Sequence, residues 1–493
     1  MMRLKKLIEN LECLEVIHFQ NVQIEGIAYD SRKVESGFLF VCIKGLSEDG
    51  HRFVSDAVRR GAAGIVCEEA VCNGRKVPEI VVRDSRSALS HVSAVFHQHP
   101  SGKMHVTGIT GTNGKTSTSL LCEAILKETD KVCGVIGTIS YRWGDRILPA
   151  GRTTPESLDT QQILEEMFNT GCRFVLMEVS SHALEQKRVQ DVEFKTGIFT
   201  NLSAEHLDYH KNMEDYLKAK GKLFAGLGKE TTAIVNVDDL YGAEIIRLSS
   251  GNILTYGIEG NPDIAASGVL LSPEGIVFVV HTPVGSCEMR MKLLGKGNVY
   301  NALAAISFGI SVGSELEEIR AGLEKVEGIR GRFEIIWGGD FTVVVDYAHT
   351  PQALEILLQS AKCVVSGKII LVFGCGGNRD KTKRSVMGGI AGSGSDLSFI
   401  TTDNPRSEDP EKIIARIETG FHKLNKRNYR IVSDRKEAIR EAISVAEKGD
   451  MVIIAGKGHE TYQICKDTVI PFDDREVARE VLEEFYGTGN YNS

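Results

Sequence analysis

The residues best suited to chemistry lie in residues 104–118, MHVTGITGTNGKTST, where an apolar strand meets a glycine-rich turn and then a helix. Gly111 and Gly114 let the backbone approach an oxyanion, and the helix N-terminus presents free N–H groups. Lys115 adds a positive charge, and Thr116 offers a hydroxyl to Mg²⁺. This pattern predicts a nucleotide phosphate site formed by Gly111, Thr112, Asn113, Gly114, Lys115, Thr116 and Ser117.

Two further segments carry side chains that suit a metal ion. Glu178 directly follows the apolar strand in LMEVSS, and His206, Asp208 and His210 follow another strand in NLSAEHLDYH. Carboxylate oxygen and imidazole nitrogen are common metal ligands. By itself the histidine cluster is weak support, because histidine beside aromatic residues is more often packed or exposed than bound to metal.

Alternating strands and helices must position these residues. From residue 104 the chain alternates short apolar strands with helix-like segments, and a second such series begins after residue 330. We predict an α/β protein of three domains, with a central P-loop ATPase-like, mostly parallel sheet and a C-terminal doubly wound domain. The expected domains are residues 1–100, 101–330 and 331–493. Because ligands bind at the carboxyl ends of parallel strands, the polar segments are expected to converge.

Composition narrows the class of protein. The chain has 493 residues, 42% hydrophobic and 25% charged, with a net charge of −8. This charge gives no broad attraction to nucleic acid, and no run of about 18 apolar residues occurs. We therefore expect a cytoplasmic protein that neither binds nucleic acid nor inserts into a membrane. The 11 cysteines form no CxxC pairs, so neither a zinc site nor a disulfide framework is indicated.

The order of the motifs adds a family resemblance. GTNGKT, MEVSSH, NLSAEHLDYH, YLKAKGKLF, GKGNVYNALAA, RFE and DYAHTP resemble the Mur ligase family over nearly the whole chain. The resemblance implies an ATP-dependent ligase of peptidoglycan precursor synthesis, with UDP-binding, ATPase and amino-acid domains in that order. It also implies Mg²⁺ as a cofactor, and we expect a monomer.

The resemblance assigns roles to individual residues. It places Asn298 and Asn301 near the adenine, Asp346 near the ribose, and Arg332 and His349 near phosphate or developing charge. Helix capping by the asparagines and a domain-linking role for Arg332 remain alternatives. The implied metal ligands, with Lys220 carried as N6-carboxylysine, are Thr116, Glu178, His206 and Lys220; Lys115, His206 and Lys220 are the implied catalytic residues. A solvated basic helix face is the alternative for Lys220.

Two sets of residues match the family's other substrates. Those implied for UDP-N-acetylmuramoyl-L-alanyl-D-glutamate are Ser31, Arg32, Thr153, Thr154, Ser180, Gln186 and Arg188. DSR at residues 30–32 has a second interpretation, a turn held by its own side chains. Those implied for meso-2,6-diaminopimelate are Arg379, Asp403, Asn404, Pro405, Arg406, Gly456 and Glu460.

DNPR at residues 403–406 is the most specific segment of the resemblance, because it looks like the signature of the family members that add meso-diaminopimelate. The chemistry agrees, since Arg406 can bind a second carboxylate through two parallel hydrogen bonds. Asn378 and Thr382 depart from the aspartate and glycine that the family often has in the loop around Arg379. The implied reaction activates the D-glutamyl carboxylate as an acyl phosphate, which the diaminopimelate amine then attacks. A lysine-adding ligase, a folate-polyglutamate ligase and a non-catalytic P-loop switch are the alternatives.

Overall fold

The computed structural model describes residues 1–45, 48–71, 77–466 and 468–487, with Asp208 described by its backbone alone. Three main β-sheets, each packed against helices, follow one another along the chain. This arrangement agrees with the predicted three-domain α/β class. Over the described residues, no helix is both long and apolar enough to cross a membrane.

The N-terminal sheet has the strand order β2-β7-β6-β5-β4, in which β2 is antiparallel to β7 and the other pairs are parallel. The strands β1 and β3 pair separately. The elements are β1 (Met2–Arg3), α1 (Leu4–Leu7), β2 (Cys13–Ile17), β3 (Gln23–Ile24), β4 (Gly26–Ala28), β5 (Phe38–Val41), α2 (Val54–Arg59), β6 (Gly64–Cys67), β7 (Glu79–Val82) and α3 (Ser85–Phe96).

The central sheet has the order β11-β10-β9-β12-β8-β13-β14-β15-β16-β17-β18 and is parallel from β9 to β16. Its strands are β8 (His105–Thr110), β9 (Cys133–Ile136), β10 (Ser140–Trp143), β11 (Arg146–Pro149), β12 (Phe174–Glu178), β13 (Phe194–Phe199), β14 (Thr232–Asn236), β15 (Asn252–Gly257), β16 (Ile264–Ser272), β17 (Gly275–Thr282) and β18 (Gly285–Met291). Its helices are α4 (Lys115–Glu128), α5 (Ser157–Asn169), α6 (Ser181–Glu185), α7 (Leu207–His210), α8 (Met213–Ala225), α9 (Gly242–Leu248), α10 (Lys296–Ser311) and α11 (Leu316–Glu324).

The C-terminal sheet has the order β19-β20-β24-β21-β22-β23 and is parallel except for β19; β25 and β26 form a hairpin. The strands are β19 (Glu334–Gly338), β20 (Thr342–Asp346), β21 (Ile369–Phe373), β22 (Leu397–Ile400), β23 (Tyr429–Ile431), β24 (Met451–Ala455), β25 (Tyr462–Cys465) and β26 (Thr468–Pro471). The helices are α12 (Pro351–Lys362), α13 (Thr382–Gly394), α14 (Pro410–Lys423), α15 (Arg435–Ser444) and α16 (Asp474–Tyr486).

Helices cover both faces of the C-terminal sheet, as predicted for a doubly wound domain. Along β20, Val344 packs with α12, α13 and α14 on one face, whereas Val343 and Val345 pack with α15 and α16 on the other. Successive side chains of a strand point to opposite faces, so an unbroken apolar run such as TVVVD suits a strand buried on both sides.

Register brings the predicted nucleotide motifs to one edge of the central sheet. The strand β8, which leads into the phosphate turn, lies between β12 and β13. Glu178 pairs with Ile109, and Phe199 pairs with Thr110, so all three strands end at the same level. The segments that follow them therefore meet around the start of α4.

Candidate active site

Two glycines give the phosphate turn a shape that other residues resist. Gly111 has φ 152° and Gly114 has φ 86°. A Cβ atom on Gly111 would lie 1.8 Å from Thr200 Oγ1, and one on Gly114 would lie 2.5 Å from Asn301 Oδ1. Glycine is thus required at both positions for conformation and for space.

The segment after β13 holds the turn in place. The Thr112 N–H donates to Asn201 O, and the Asn113 N–H donates to Asn201 Oδ1, each at 2.9 Å. Thr200 Oγ1 donates to Asn113 O at 2.6 Å. The phosphate turn is thereby preorganised before any ligand binds.

Two lysines, the half-buried Lys115 and the fully buried Lys220, approach the turn from different helices. Lys115 Nζ donates to Gly111 O and Thr112 O, each at 2.8 Å. Lys220 Nζ, 4.6 Å from the centre of the Tyr216 ring, also donates to Gly111 O. Burial lowers the pKa of Lys115, and burial together with the Lys115 charge lowers the pKa of Lys220 well below its ordinary value. The site therefore concentrates positive charge and favours a neutral Lys220 amine.

Hydroxyl groups surround the Glu178 carboxylate. Thr116 Oγ1 donates to Glu178 Oε2 at 2.9 Å, and Thr138 donates to the same carboxylate from its N–H at 2.9 Å and its hydroxyl at 2.8 Å. Glu178 is only 1% exposed. Sequence reasoning singled out Thr116 and Glu178, and the structure brings them together; it did not single out Thr138, which lies just past β9.

Glu205 lies at the centre of the positive groups, although the sequence analysis did not select it. Glu205 Oε1 lies 3.8 Å from His206 Nε2 and 3.7 Å from His349 Nε2 of the C-terminal domain. Burial opposes its ionised form, but His206, His349, Lys115 and Lys220 together hold its pKa below the ordinary value. Its position beside His206 in NLSAEH was the available signal.

The histidine cluster divides into two environments. His206 has φ 56° and lies edge-on to the His182 ring at 4.8 Å. His210 is buried, and its Nε2 lies 2.9 Å from Ser181 Oγ. The side chain of Asp208 lies outside the described residues. Of the cluster, His206 is the residue placed next to Glu205.

A pocket between the central and C-terminal domains collects seven of the residues predicted to contact ATP. Those lining it are Asn113, Gly114, Ser117, Asn298, Asn301, Arg332 and Asp346. Leu294, Ile356 and Leu357 add apolar surface. Asn298 Nδ2 donates to Leu294 O at 2.8 Å, and Asn301 Nδ2 donates to Asn298 Oδ1 at 2.9 Å, so both amides are oriented.

Arg332 and Asp346 hold the C-terminal side of this pocket. Arg332 lies 4.6 Å above the Tyr347 ring, and its Nη2 is 3.5 Å from Thr116 Oγ1. Asp346 accepts the N–H groups of Phe333 and Ala348, each at 2.7 Å. Burial raises the Asp346 pKa. Arg332 thus both links two domains and reaches the phosphate turn.

Most residues implied for the muramoyl substrate gather beside Glu178. Thr154 Oγ1 donates to Glu178 O at 2.8 Å, and Thr153 Oγ1 lies 3.2 Å from Thr138 Oγ1. Arg188 Nη1 donates to Thr154 O at 3.2 Å. Further contacts join Ser180 to Thr154 and Gln186 to Arg188.

Ser31 and Arg32 lie apart from that group, on the N-terminal domain. Ser31 is buried, whereas the Arg32 side chain is 82% exposed and forms a bidentate pair with Asp30. The Arg32 N–H also donates to Asp30 Oδ1 at 3.0 Å. This is the geometry of the turn alternative, and it leaves the outer face of the guanidinium open.

The loops after β22 and β24 form one hydrogen-bonded unit. Asn404 Nδ2 donates to Glu460 Oε2 at 2.8 Å, and the buried Lys457 Nζ lies 3.2 Å from the same oxygen. Burial opposes ionisation of Asp403, but Arg435 and Lys457 lower its pKa. A Cβ on Gly456 would lie 2.7 Å from Asp403 Oδ2. The structure therefore brings together the DNPR and GKGHE residues predicted to bind the amino acid.

The two arginines predicted to contact diaminopimelate lie beside the same glycine. A Cβ on Gly376 would lie 3.0 Å from Arg406 Nη1 and 3.9 Å from Arg379 Cγ. Arg406 Nη1 donates to Gly377 O at 2.8 Å, and a Cβ on Gly377 would lie 1.8 Å from Pro405 O. The Arg406 guanidinium and the aliphatic stem of Arg379, which come from different loops, thus lie beside one glycine.

The two departures from the family pattern have local explanations. Asn378 has φ 53°, a conformation that asparagine tolerates, and its Nδ2 donates to Ser407 Oγ at 2.8 Å. Thr382 donates to Asp380 Oδ1 from its N–H at 2.8 Å and its hydroxyl at 2.6 Å, just where α13 begins. Both residues hold the loop around Arg379.

The linker before β19 contacts the amino-acid loops directly. Gly331 has φ 66°, and a Cβ there would lie 2.2 Å from His459 N and 2.4 Å from Gly458 C. A Cβ on Gly458 would in turn lie 2.7 Å from Gly331 O. The ring centres of Tyr347 and His459 are 4.9 Å apart. The ATP-side and amino-acid-side residues therefore form a continuous surface.

Comparison with protein families gives three matches along the chain. Residues 23–97 match the Mur ligase family catalytic domain, residues 109–309 the Mur ligase middle domain, and residues 331–458 the Mur ligase glutamate ligase domain. These ranges follow the order of the three sheets.

Individual relatives extend over almost the entire chain. UDP-N-acetylmuramoyl-L-alanyl-D-glutamate–2,6-diaminopimelate ligases from Alkaliphilus metalliredigens and Bacillus cereus are 45% and 43% identical, covering 98% and 100% of this chain and of their own lengths. A solved structure of a ligase of the same name is 32% identical, with a TM-score of 0.67 over 94% of this chain and 95% of its own. The MurF ligase of Thermotoga maritima in complex with ADP, 17% identical, shares the fold with a TM-score of 0.64 over 94% and 99%.

Proposed function

Because the chain belongs to the Mur ligase family, we propose that it joins meso-2,6-diaminopimelate to UDP-N-acetylmuramoyl-L-alanyl-D-glutamate at the expense of ATP. The chain is an ATP-dependent ligase that forms ADP and phosphate in peptidoglycan precursor synthesis. The lysine-adding and folate-polyglutamate alternatives are disfavoured by the relatives, which bear the diaminopimelate ligase name over their full length.

ATP binds in the pocket between the central and C-terminal domains in this proposal. The phosphate turn offers backbone N–H groups and the Lys115 ammonium to the phosphates. Asn298 and Asn301 hold the adenine end, and Asp346 holds the ribose. Support comes from the pocket in which Asn113, Gly114, Asn298, Asn301 and Asp346 surround one space next to the start of α4.

Thr116 and Glu178 have the chemistry that Mg²⁺ requires. Their hydroxyl and carboxylate oxygens are buried and 2.9 Å apart, and Mg²⁺ prefers oxygen ligands. When bound, the ion would neutralise phosphate charge during transfer. Among the described side chains, no three His, Cys, Asp or Glu residues form a ready metal cluster. By the family resemblance we propose that carboxylation of the buried Lys220, next to the phosphate turn, supplies a further anionic oxygen ligand, with His206 completing the set.

The muramoyl substrate occupies the surface beside Glu178 in this proposal. Thr153, Thr154, Ser180, Gln186 and Arg188 offer hydroxyl, amide and guanidinium groups that suit a carboxylate-bearing, hydroxyl-rich ligand. Ser31 and Arg32 contact its uridine diphosphate from the N-terminal domain. The closeness of Thr154 to Glu178 supports placing the D-glutamyl carboxylate near the phosphate turn.

The amino acid binds at the DNPR and GKGHE loops. Arg379 and Arg406 present guanidinium groups to the distal carboxylate of diaminopimelate, a group that lysine lacks. Glu460 and Asn404 lie at the other end, where a carboxylate and an amide suit an amino-acid head group, beside Asp403, Pro405 and Gly456.

The reaction runs through an acyl phosphate. The D-glutamyl carboxylate oxygen attacks the terminal phosphorus and displaces ADP, while Lys115 stabilises the charge that shifts. The neutral diaminopimelate amine then attacks the acyl carbon, and collapse of the tetrahedral intermediate expels phosphate. Arg332 and His349, which extend from the C-terminal domain to the phosphate turn and Glu205, help to exclude water from this intermediate.

One observation carries the choice of amino acid: Arg379 and Arg406, from the loops after β21 and β22, lie beside the same glycine. The Arg406 loop is also hydrogen-bonded through Asn404 to Glu460 in the loop after β24. The test measures phosphate release and ligated product while omitting ATP, the UDP-muramoyl dipeptide or the amino acid in turn. All three should be required, and diaminopimelate should be strongly preferred to L-lysine. Phosphate release without ligation would instead support a P-loop switch.

Three further features belong to the proposal. We place the domain boundaries near residues 100 and 330, in accord with the three sheets. We place the enzyme in the cytoplasm, as a monomer that does not require nucleic acid. Sedimentation at several protein concentrations tests the oligomeric state, since a self-associating enzyme would shift to a larger species as concentration rises.

A further inference from the structure

An ion pair with one fully buried and one partly exposed partner joins the two loops that carry Arg379 and Arg406. Arg384, in α13, has a fully buried side chain, and Glu408 follows the DNPR segment. Arg384 Nη1 donates to Glu408 Oε2 at 2.9 Å, and Nη2 donates to Oε1 at 3.0 Å. The pair is therefore bidentate and fixes both distance and orientation.

Each partner also binds the loop of Arg379 through its backbone. Arg384 Nη2 donates to Gly376 O at 3.2 Å, and Glu408 Oε1 accepts the Asn378 N–H at 2.6 Å. Gly376 and Asn378 are close in sequence to Arg379. The pair consequently fixes the backbone that presents the first guanidinium.

Glu408 also belongs to the turn that carries the second guanidinium, because its N–H donates to Pro405 O, next to Arg406, at 3.0 Å. Arg406 has φ 52°, an uncommon conformation for a side-chain-bearing residue, and its Nη1 donates to Gly377 O. Both arginines thus rest on backbone that Arg384 and Glu408 clamp together. Movement of either loop would change the separation of the two guanidinium groups.

Stability alone is a poor explanation for this pair. Arg384 Nε is buried and has no hydrogen-bond partner among the described residues. Arg384 is fully buried whereas the Glu408 side chain is 19% exposed, and an ion pair that buries a charge in this way commonly stabilises a fold no more than well-packed apolar side chains of similar volume. A geometric requirement explains better why a charged residue occupies the base of these loops.

We propose that Arg384 and Glu408 are positioning residues that set the spacing of Arg379 and Arg406 and so determine selectivity for an amino acid with a second carboxylate. The inference rests on the proposed function. Neither residue contacts the substrate in this arrangement; both act through the two arginines.

The test compares Arg384→Gln, Arg384→Lys and Glu408→Gln with the wild type, after circular dichroism establishes folding. The KM for diaminopimelate should rise at least about tenfold, while the KM values for ATP and the UDP-muramoyl dipeptide stay within about twofold. The preference for diaminopimelate over L-lysine should fall by a similar factor. Arg384→Lys keeps the charge but loses the planar fork, so its defect should be smaller than that of Arg384→Gln.

Arg440→Gln provides a matched control, because Arg440 forms a bidentate pair with Glu484 between α15 and α16. Its three KM values should match those of the wild type. In an Arg406→Ala background, Glu408→Gln should add little further loss, because the two changes act on the same contact. Glu408→Gln nearly preserves side-chain volume and provides a folded variant if Arg384→Gln does not fold.

A folded Glu408→Gln enzyme with unchanged KM for diaminopimelate, or with all three KM values raised in parallel, would overturn the inference. Failure of the proposed function is distinguishable, since the wild type itself would then not ligate diaminopimelate.

Discussion

Lys115 and Lys220 donate to one acceptor, the carbonyl oxygen of Gly111, each at 2.8 Å. Lys115 is the first residue of α4, and Lys220 lies in the middle of α8. Burial and the neighbouring Lys115 charge both oppose a positive charge on Lys220. In the proposed function, phosphate at the turn would pair with Lys115, and carboxylation would convert the neutral Lys220 amine into an anion.

Lys115→Ala should reduce product formation by about 100-fold or more, because loss of a group that stabilises transition-state charge commonly costs that much. Lys127→Ala is the matched control, since Lys127 lies on the same helix with its side chain 69% exposed. Initial rates and circular dichroism check the prediction. A folded Lys115→Ala enzyme retaining more than about a third of wild-type turnover would remove Lys115 from phosphate positioning.

Lys220→Ala should lose activity, and an added short carboxylic acid should partly restore it by replacing the missing anion. Lys220→Arg should stay inactive, because arginine remains cationic and cannot be carboxylated. Lys218→Ala is the control, since Lys218 is exposed and pairs with Glu214. Full activity of Lys220→Arg would contradict the carbamate assignment.

Arg406→Ala should abolish most of the preference for diaminopimelate over L-lysine while changing ATP affinity little. Loss of one charge-assisted contact should cost about 1.5–3 kcal/mol, or about tenfold to a hundredfold in kcat/KM. Arg416→Ala, at an exposed position of α14, serves as the control. Side-by-side kinetics with both amino acids decide the matter, and an unaltered ratio would exclude Arg406 as the selectivity determinant.

Glu205→Gln should reduce kcat/KM by about tenfold or more, because it removes negative charge that balances Lys115, Lys220, His206 and His349. Glu214→Gln, at an exposed carboxylate of α8, should behave like the wild type. Steady-state kinetics with each substrate varied would test this. Equal kinetics for both variants would show that the electrostatic balance at Glu205 is unimportant for turnover.

The free energy of unfolding of the C-terminal domain should depend on pH because of Glu408. Its hydrogen bonds to Arg384 lower the pKa of Glu408 from 4.5 to about 2. A carboxyl group whose pKa is lower in the folded than in the unfolded protein stabilises the fold at pH values above the unfolded-state pKa. That stabilisation is lost as the pH falls toward the folded-state pKa. Glu408→Gln should therefore unfold at a lower urea concentration than the wild type at neutral pH. The gap should narrow as pH falls from about 4.5 toward 2; a gap that stays constant would contradict it.

Sequence periodicity predicted the parallel strands well, because buried strands such as those ending at Glu178 and Asp346 are nearly continuous apolar runs. It did not predict the antiparallel extension from β16 to β18. In β16 the consecutive small residues Ala266, Ser267 and Gly268 interrupt the apolar pattern of the strand. The pairing of these strands also depends on distant partners.

Motifs identified the residues with distinctive chemistry or spacing, including Lys115, Thr116 and Arg406. They did not identify Thr138, Glu205 or Arg384, whose importance arises from contacts between segments far apart in the chain. An isolated threonine, glutamate or arginine carries no local signal of such a contact. Tertiary packing determines which side chains are in contact, so these contacts are known only from the folded structure.

The close backbone contact between Gly331 and Gly458 has a thermodynamic consequence. Because backbone meets backbone there, with no room for a Cβ on either side, a rotation of the C-terminal domain at the linker must carry the GKGHE loop with it. Arg332, the next residue, reaches toward the phosphate turn. We therefore expect occupancy of the proposed amino-acid loops and occupancy of the proposed nucleotide pocket to be linked equilibria. Each ligand should then change the binding free energy of the other by the same amount, whichever binds first.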